Sequence, residues 1–134
     1  MGQEDILALI PKDKFDTSTI DELMKLNEDE VKIILPELLY WIADFNWPIA
    51  KEMINVLKRF SNNLTPLIQN ALRADESDDM LKYWIIRELI PVLSKEVQKN
   101  ILTDIKRICD SPTVTEEIEG VCDEAKEFIE NYNL

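Results

Sequence analysis

Residues 46–60, NWPIAKEMINVLKRF, decide the fold class, because their apolar side chains recur with the period of an α-helix. At about 100° per residue, the apolar positions from Trp47 to Phe60 cover an arc of about 180°. Pro48 falls in the first turn, where its missing N–H costs nothing, and Asn46 is the predicted cap. An apolar arc this wide contacts two neighbouring elements, so the pattern predicts a helix in a middle layer of the fold.

The helical period continues upstream of this helix, and strand-like alternation is nearly absent. Asp16 or Thr17 is predicted to cap a short helix that ends near Leu26. Asn27, followed by three acidic residues, is predicted to start the next helix. Pro36 interrupts that helix, so we expect a kink or a break there, with a second start just before the proline.

Downstream, polar residues and prolines mark the expected helix boundaries. Thr65 before Pro66 predicts the start of a short helix, and Ser77 and Ser94 are the predicted caps of the two helices that follow. Between residues 80 and 90 the helical wheel is apolar almost all round, which predicts a helix at the centre of the fold.

The last predicted helix runs from about Thr115 to Asn131 and buries a narrow stripe. The stripe consists of Ile118, Val121, Cys122, Ala125 and Ile129, with Phe128 at its margin. Seven acids and one lysine lie between residues 116 and 130. This composition is typical of a terminal helix with water on its far side.

The elements group into helix pairs at roughly 28–60, 65–90 and 95–131. The pattern therefore predicts an all-α protein, an α-α superhelix of about three HEAT/armadillo-like helix pairs preceded by a short helical N-terminal segment. We expect one HEAT-like domain over residues 1–134, a length at which a single core is normal. A closed helical bundle is the rival interpretation.

The charge balance restricts the partners. Fifteen basic against twenty-seven acidic residues give a formal net charge of −12 at pH 7. This field repels phosphate backbones and no local basic patch overrides it, so we expect binding neither to nucleic acid nor to a membrane. The first residues lack a basic segment before a long apolar core, and no apolar run approaches the ~20 residues that span a bilayer. These features predict a cytoplasmic protein.

The residue types needed for common catalytic and cofactor sites are missing. The sequence has no histidine, and glycines only at positions 2 and 120, which excludes a glycine-rich phosphate loop. Cys109 and Cys122 form no CxxC pair and are interpreted as buried thiols that could meet across a helix pair. We therefore predict no catalytic residue, no cofactor and no metal site.

Arg87 and Glu88 are the most specific candidates for a binding site, because they lie on the helix with the fewest polar positions. Adjacent residues on a helix point in different directions, so each needs a partner on another helix if it is buried. The alternative is that Arg87 and Glu88 border a groove and contact a partner molecule.

Further candidate contacts lie in the first half of the chain. Trp47 is at the edge of its apolar arc and is either a packing residue between helix pairs or a partly exposed aromatic in a groove. Lys51 lies on the polar face of the same helix. Lys12 and Asp13, in the charged segment PKDKFD, are either a solvated turn or partner contacts.

Three segments resemble a known family: LIPKDKFD (9–16), NWPIAK (46–51) and KYWII (82–86). Their order and spacing are similar to those of a small bacterial family, domain of unknown function 5071, and the resemblance covers nearly the whole chain. It implies an all-helical, HEAT-like fold. It supplies no reaction, cofactor or catalytic residue.

The preferred interpretation is a non-catalytic protein–protein interaction module whose partner carries a basic patch. A small immunity or antitoxin-like protein is one concrete version. One alternative is a small-molecule binder or carboxylate-dependent enzyme, with a pocket between helix pairs lined by Trp84, Tyr83 and Glu88. Another is a structural homodimer, since the sequence leaves the oligomeric state open.

Overall fold

The computed structural model describes residues 2–132, and every regular element among them is helical, which confirms the all-α prediction. The chain divides into two compact units between Leu64 and Thr65. The assignment of residues 1–134 to a single domain stays a prediction.

The first unit contains α1 to α5. These helices are α1 Gln3–Leu7, α2 Ile20–Leu23, α3 Glu28–Val31, α4 Leu35–Tyr40 and α5 Pro48–Leu57. A 3₁₀ turn, Lys58–Phe60, follows α5 and leads directly into α6, Ser61–Ala71. The division between the two units falls inside α6.

Helix α5 confirms the helix predicted from residue 47, but its cap is different. The buried side chains are Ile49, Ala50, Met53, Val56 and Leu57. The predicted cap Asn46 is wrong, because Trp47 is the N-cap and its side chain makes no capping hydrogen bond. Proline at the first helical position requires an extended residue before it, and Trp47 has φ −70° and ψ 130°. Instead, the backbone amide of Asn46 donates to Asp44 Oδ1 at 2.9 Å.

Two of the upstream predictions are confirmed and one is wrong. Asn27 caps α3 in a reciprocal capping box with Glu30, and α4 begins at Leu35, so the chain breaks before Pro36 as expected. Neither Asp16 nor Thr17 caps α2, whose N-cap is Thr19. The Asp16 carboxylate accepts hydrogen bonds from neighbouring loop residues, which keeps it away from the helix end.

The second unit contains the rest of α6 and the helices that follow. These are α7 Asp79–Trp84, a π-helical segment Ile85–Leu89, a 3₁₀ turn Ile90–Val92, α8 Lys95–Asp110, α9 Val114–Ile118 and α10 Val121–Asn131. Helices α8 and α10 pack against each other, and α10 also contacts α7 and the π-helical segment.

The boundaries of α6 and α7 differ from those predicted. Pro66 lies inside α6 rather than at its start, because the chain continues as helix from the preceding 3₁₀ turn. Proline there loses one helical hydrogen bond, and the buried neighbours Leu64 and Ile68 offset that loss. Asp78, not Ser77, caps α7 by accepting the Leu81 amide at 3.1 Å.

The predicted central helix over residues 80–90 changes its winding half-way. It is α-helical to Trp84 and then π-helical until the Ile90 amide donates to the Ile85 carbonyl. Pro91 has no N–H to continue that ladder, so the π-helical segment ends there. Hydrogen bonds of a π-helix span five residues instead of four, which changes where the following side chains point.

The predicted last helix is two helices. Gly120 adopts φ +82°, a left-handed conformation that glycine reaches without strain, and it separates α9 from α10. The predicted burial of Ile118 is wrong, since 73% of it is exposed. Thr113 and Glu116 form a capping box that starts α9 earlier than expected and turns Glu116, not Ile118, inward.

Glu116 is a fully buried carboxylate with every acceptor position occupied. Its Oε1 accepts from the Thr113 amide at 2.9 Å and from Arg107, and its Oε2 accepts from Lys82 Nζ at 2.8 Å and from Arg107 at 2.9 Å. Burial alone raises the pKa of Glu116, but the hydrogen bonds from Arg107 and Lys82 outweigh it and lower the pKa to about 2. A buried charge is tolerated only when it is paired and hydrogen-bonded in this way.

Glu116, Lys82 and Arg107 form one charged cluster. Its two cations also bind backbone carbonyls at the end of α6. Lys82, completely buried, donates to the Arg73 carbonyl at 2.9 Å and lies 3.6 Å from Asp79 Oδ1. Arg107 donates to the Leu72 carbonyl at 2.7 Å. Carbonyls just beyond a helix end lack helical partners and attract cations. The cluster therefore joins the end of α6 to α7, α8 and α9.

Glu116→Gln should lower the free energy of unfolding by about 3 kcal/mol at pH 7, because it leaves the buried Lys82 and the partly buried Arg107 without their carboxylate. The pKa of Glu116 is lowered on folding, so its contribution is present above pH 4.5 and is lost as the pH falls toward 2. Urea unfolding should therefore show that the free energies of unfolding of wild type and Glu116→Gln become more similar as the pH falls from 7 to 3.

The matched control is Glu117→Gln, an exposed neighbour on α9, which should change stability by less than about 0.5 kcal/mol. A pH-independent difference between wild type and Glu116→Gln would contradict the charged state assigned to the cluster.

Candidate functional site

A groove of about 390 Å³ lies in the second unit, beside the π-helical segment. The π-helical segment and the turn after it contribute Ile86, Arg87, Glu88 and Pro91, α8 contributes Lys95 and Gln98, and α10 with the residue after it contributes Glu124, Glu127, Phe128, Asn131 and Tyr132. Its volume is within the range of ligand pockets, and π-helical segments recur at functional sites. We therefore take this groove as the candidate site.

Arg87 and Glu88 reach the groove from the π-helical segment and are not buried. Their side chains are 47% and 39% exposed, respectively. Arg87 donates to Glu124 Oε1 on α10 at 2.8 Å, while its Nε lies 3.7 Å from Glu88 Oε1. The Glu124 carboxylate raises the pKa of Arg87. Arg87 thus has a charged partner on another helix, and it also borders the groove.

Gln98 is the polar residue that the sequence analysis missed. It lies on the buried side of α8 and is only 4% exposed. Its Nε2 donates to the Ile90 carbonyl at 2.8 Å and to the Leu93 carbonyl at 3.4 Å. Among residues 2–132, no donor reaches its Oε1. The side chain therefore fixes the turn before α8 and offers one acceptor to the groove.

Two aromatic rings supply an apolar surface at the α10 side. Phe128 and Tyr132 have ring centroids 5.7 Å apart, and the Lys95 ammonium lies 5.8 Å from the Tyr132 centroid. Such rings bind apolar groups through area and cations through their faces. The groove therefore combines charged, amide and aromatic groups.

A family model described as Domain of unknown function (DUF5071) matches residues 9–129 of the chain. The chain belongs to the DUF5071 family. This confirms the family resemblance of the sequence. No curated protein matches the chain.

Of the three residues predicted to line a pocket in the DUF5071 chain, one lies in this groove. Glu88 lines the groove, but Tyr83 and Trp84 do not. The Tyr83 ring is turned toward Gly120, where a Cβ would lie 3.5 Å from the ring. Burial and the nearby Glu124 carboxylate raise the pKa of the Tyr83 hydroxyl.

The other predicted contacts belong to the first unit. Trp47 is half-buried and packs 5.7 Å from both the Tyr40 and the Trp41 ring centroids, while Lys51 is exposed on α5. Lys12 and Asp13 are exposed in a loop before α2. A hydrogen bond from the Ile49 amide to the Lys14 carbonyl, at 3.1 Å, connects this loop to the first turn of α5. Their role as partner contacts stays a prediction.

The two cysteines of the DUF5071 chain are free thiols, and Cys122 Sγ lies 4.0 Å from the Cys109 carbonyl oxygen. Burial raises the pKa of Cys109. The described residues contain no group of three or more acidic or cysteine side chains placed to hold a metal ion. Within the same residues, no helix has the length and apolarity needed to cross a membrane.

Gln98→Met should lower the free energy of unfolding by about 1–3 kcal/mol, because the Ile90 and Leu93 carbonyls lose a buried donor. Lys99→Met, at the exposed neighbouring position of α8, is the control and should change stability by less than about 0.5 kcal/mol. Urea unfolding measures both. Equal losses would mean that the glutamine amide does not hold the turn.

Proposed function

We propose that this DUF5071 protein is a non-catalytic protein-binding module, a HEAT-like helical superhelix that recognises a partner with a basic patch. The observation that carries the proposal is the surface of α9 and α10. Five carboxylates there are exposed: Glu117, Glu119, Asp123, Glu127 and Glu130. We call this set the acidic face.

The acidic face has few cations of its own. Lys126 is the one basic residue between residues 116 and 130, and Arg87 is engaged with Glu124. The carboxylates therefore remain available to an external cation. With a net charge of −12, the whole chain adds to the attraction of a basic protein and repels acidic ones.

Apolar side chains stand among these acids. Val114 and Ile118 are 72% and 73% exposed and lie four residues apart on α9, so they share one side of the helix. Exposed apolar residues bordered by charges are typical of protein-interaction surfaces. This combination favours a protein partner over a simple ion.

The HEAT-like arrangement is supported by packed helix pairs within each unit. Helices α4 and α5 contact each other in the first unit, and α8 and α10 in the second. One concrete form of the function is a cytoplasmic immunity or antitoxin-like protein, in which the acidic face covers a basic protein.

Small-molecule binding is a second candidate, favoured by the volume of the groove and its mixed lining. The carboxylates of Glu88, Glu124 and Glu127 would favour a cationic ligand. This candidate needs no protein partner, so binding of a small cation when no basic protein is captured separates it from the first.

The test is affinity capture from a lysate of the source organism at low and at physiological salt, followed by reconstitution with the purified partner. We expect one stoichiometric, basic protein whose affinity falls as salt rises, because the attraction is between exposed charges. The triple variant Glu117→Gln, Asp123→Asn, Glu130→Gln should weaken binding by roughly tenfold.

The matched control, Asp21→Asn, Glu37→Gln, Glu52→Gln, removes three exposed acids of the first unit and should bind like wild type. An acidic partner, or binding that is indifferent to salt, would overturn the proposal.

A further inference from the structure

The groove offers a hydrogen-bond acceptor that has no donor. Gln98 is almost fully buried, and its Nε2 is fixed by two backbone carbonyls. Carbonyls can only accept, so the amide orientation is determined and Oε1 points away from them. No donor within residues 2–132 reaches that oxygen. A ligand of the groove therefore gains by bringing an N–H donor.

The charges of the groove favour a cationic donor. Glu88, Glu124 and Glu127 line it together with two cations, Arg87 and Lys95. Arg87 and Glu124 are paired at 2.8 Å, whereas Glu88 is 3.7 Å from Arg87, beyond hydrogen-bond distance. Arg87 still lies within ion-pair distance of Glu88, so three carboxylates share two cations and the lining of the groove keeps an excess of one negative charge.

The aromatic side of the groove favours a flat, weakly hydrated cation. Phe128 and Tyr132 present rings inclined by 33°, and the Tyr132 ring already attracts the ammonium of Lys95 at 5.8 Å. A guanidinium stacks on such rings and directs five N–H donors to acceptors in its plane. An ammonium has only three donors and loses more hydration.

We propose that the groove binds the guanidinium group of an arginine side chain carried by the protein partner. Its N–H groups would donate to Gln98 Oε1 and to the carboxylates of Glu88 and Glu127, with the aliphatic stem against Pro91. The inference rests on the proposed protein-binding function and names the side chain that the second unit recognises.

The test uses N-acetyl-arginine amide as the probe, titrated into the full chain by calorimetry or NMR. N-acetyl-citrulline amide is the control, since it has nearly the same shape and no charge. We expect the arginine probe to bind at least tenfold more tightly than the citrulline probe. N-acetyl-lysine amide should bind more weakly than the arginine probe.

Paired variants locate the binding. Glu88→Gln combined with Glu127→Gln should weaken the arginine probe about tenfold while keeping the shape of the groove. Glu130→Gln removes an exposed acid of α10 that does not line the groove, and it should change the affinity less than twofold. Gln98→Leu tests the amide acceptor, with its folded state checked by circular dichroism.

Equal binding of the arginine and citrulline probes, equal binding of the lysine probe, or an unchanged affinity in the double variant would each overturn the inference. If the probe fails while a basic protein still binds with salt dependence, the groove assignment is wrong and the protein-binding function stands. If the arginine probe binds but no basic protein partner is found, the claim that the arginine belongs to a protein is wrong.

Discussion

The buried carboxylate of Glu116 is the interaction on which the second unit depends. Removing the Glu116 carboxylate and the Lys82 ammonium from water is costly, and the cost is offset because every acceptor of Glu116 is occupied. Lys82 and Arg107 also bind the carbonyls that follow α6, so one cluster fixes several helix ends. The position of α9 follows from it, and α10, which forms a wall of the groove, begins after the turn at Gly120.

The winding of the chain after α7 determines the chemistry of the groove. The π-helical segment brings Arg87 and Glu88 to the groove on consecutive positions, and Pro91 prevents its continuation. In the following turn, the Ile90 and Leu93 carbonyls accept from the side-chain amide of Gln98, and the Ile90 carbonyl also accepts from the Leu93 amide. Because these carbonyls take the side-chain nitrogen of Gln98, its side-chain oxygen is left as an acceptor for a ligand. The same residue therefore holds the turn and contributes to recognition.

Local signals in the sequence predicted much of the fold. The apolar period of α5 and the caps Asn27 and Ser94 are properties of neighbouring residues, and the structure confirms them. Lys82 and Glu116 were missed because helical periodicity assigns charges to the surface, although Thr113 and Glu116 have the spacing of a capping box. Gln98 was missed because its burial depends on the turn of another element. Arg87 and Glu88 were recognised as unusual, but their exposure follows from the π-helical segment. Helical periodicity in a sequence does not predict such a segment.

The central claim is that the groove of the second unit accepts a cationic N–H donor at Gln98. The most direct measurement is the ¹H–¹⁵N NMR signal of the Gln98 side-chain amide during addition of N-acetyl-arginine amide. The account predicts that this signal shifts in a saturable manner together with the backbone signals of Lys95 and Tyr132, and that the citrulline probe needs at least tenfold higher concentrations to produce the same shifts. Shifts confined to residues outside the groove, with the Gln98 signal unmoved at saturation, would contradict it.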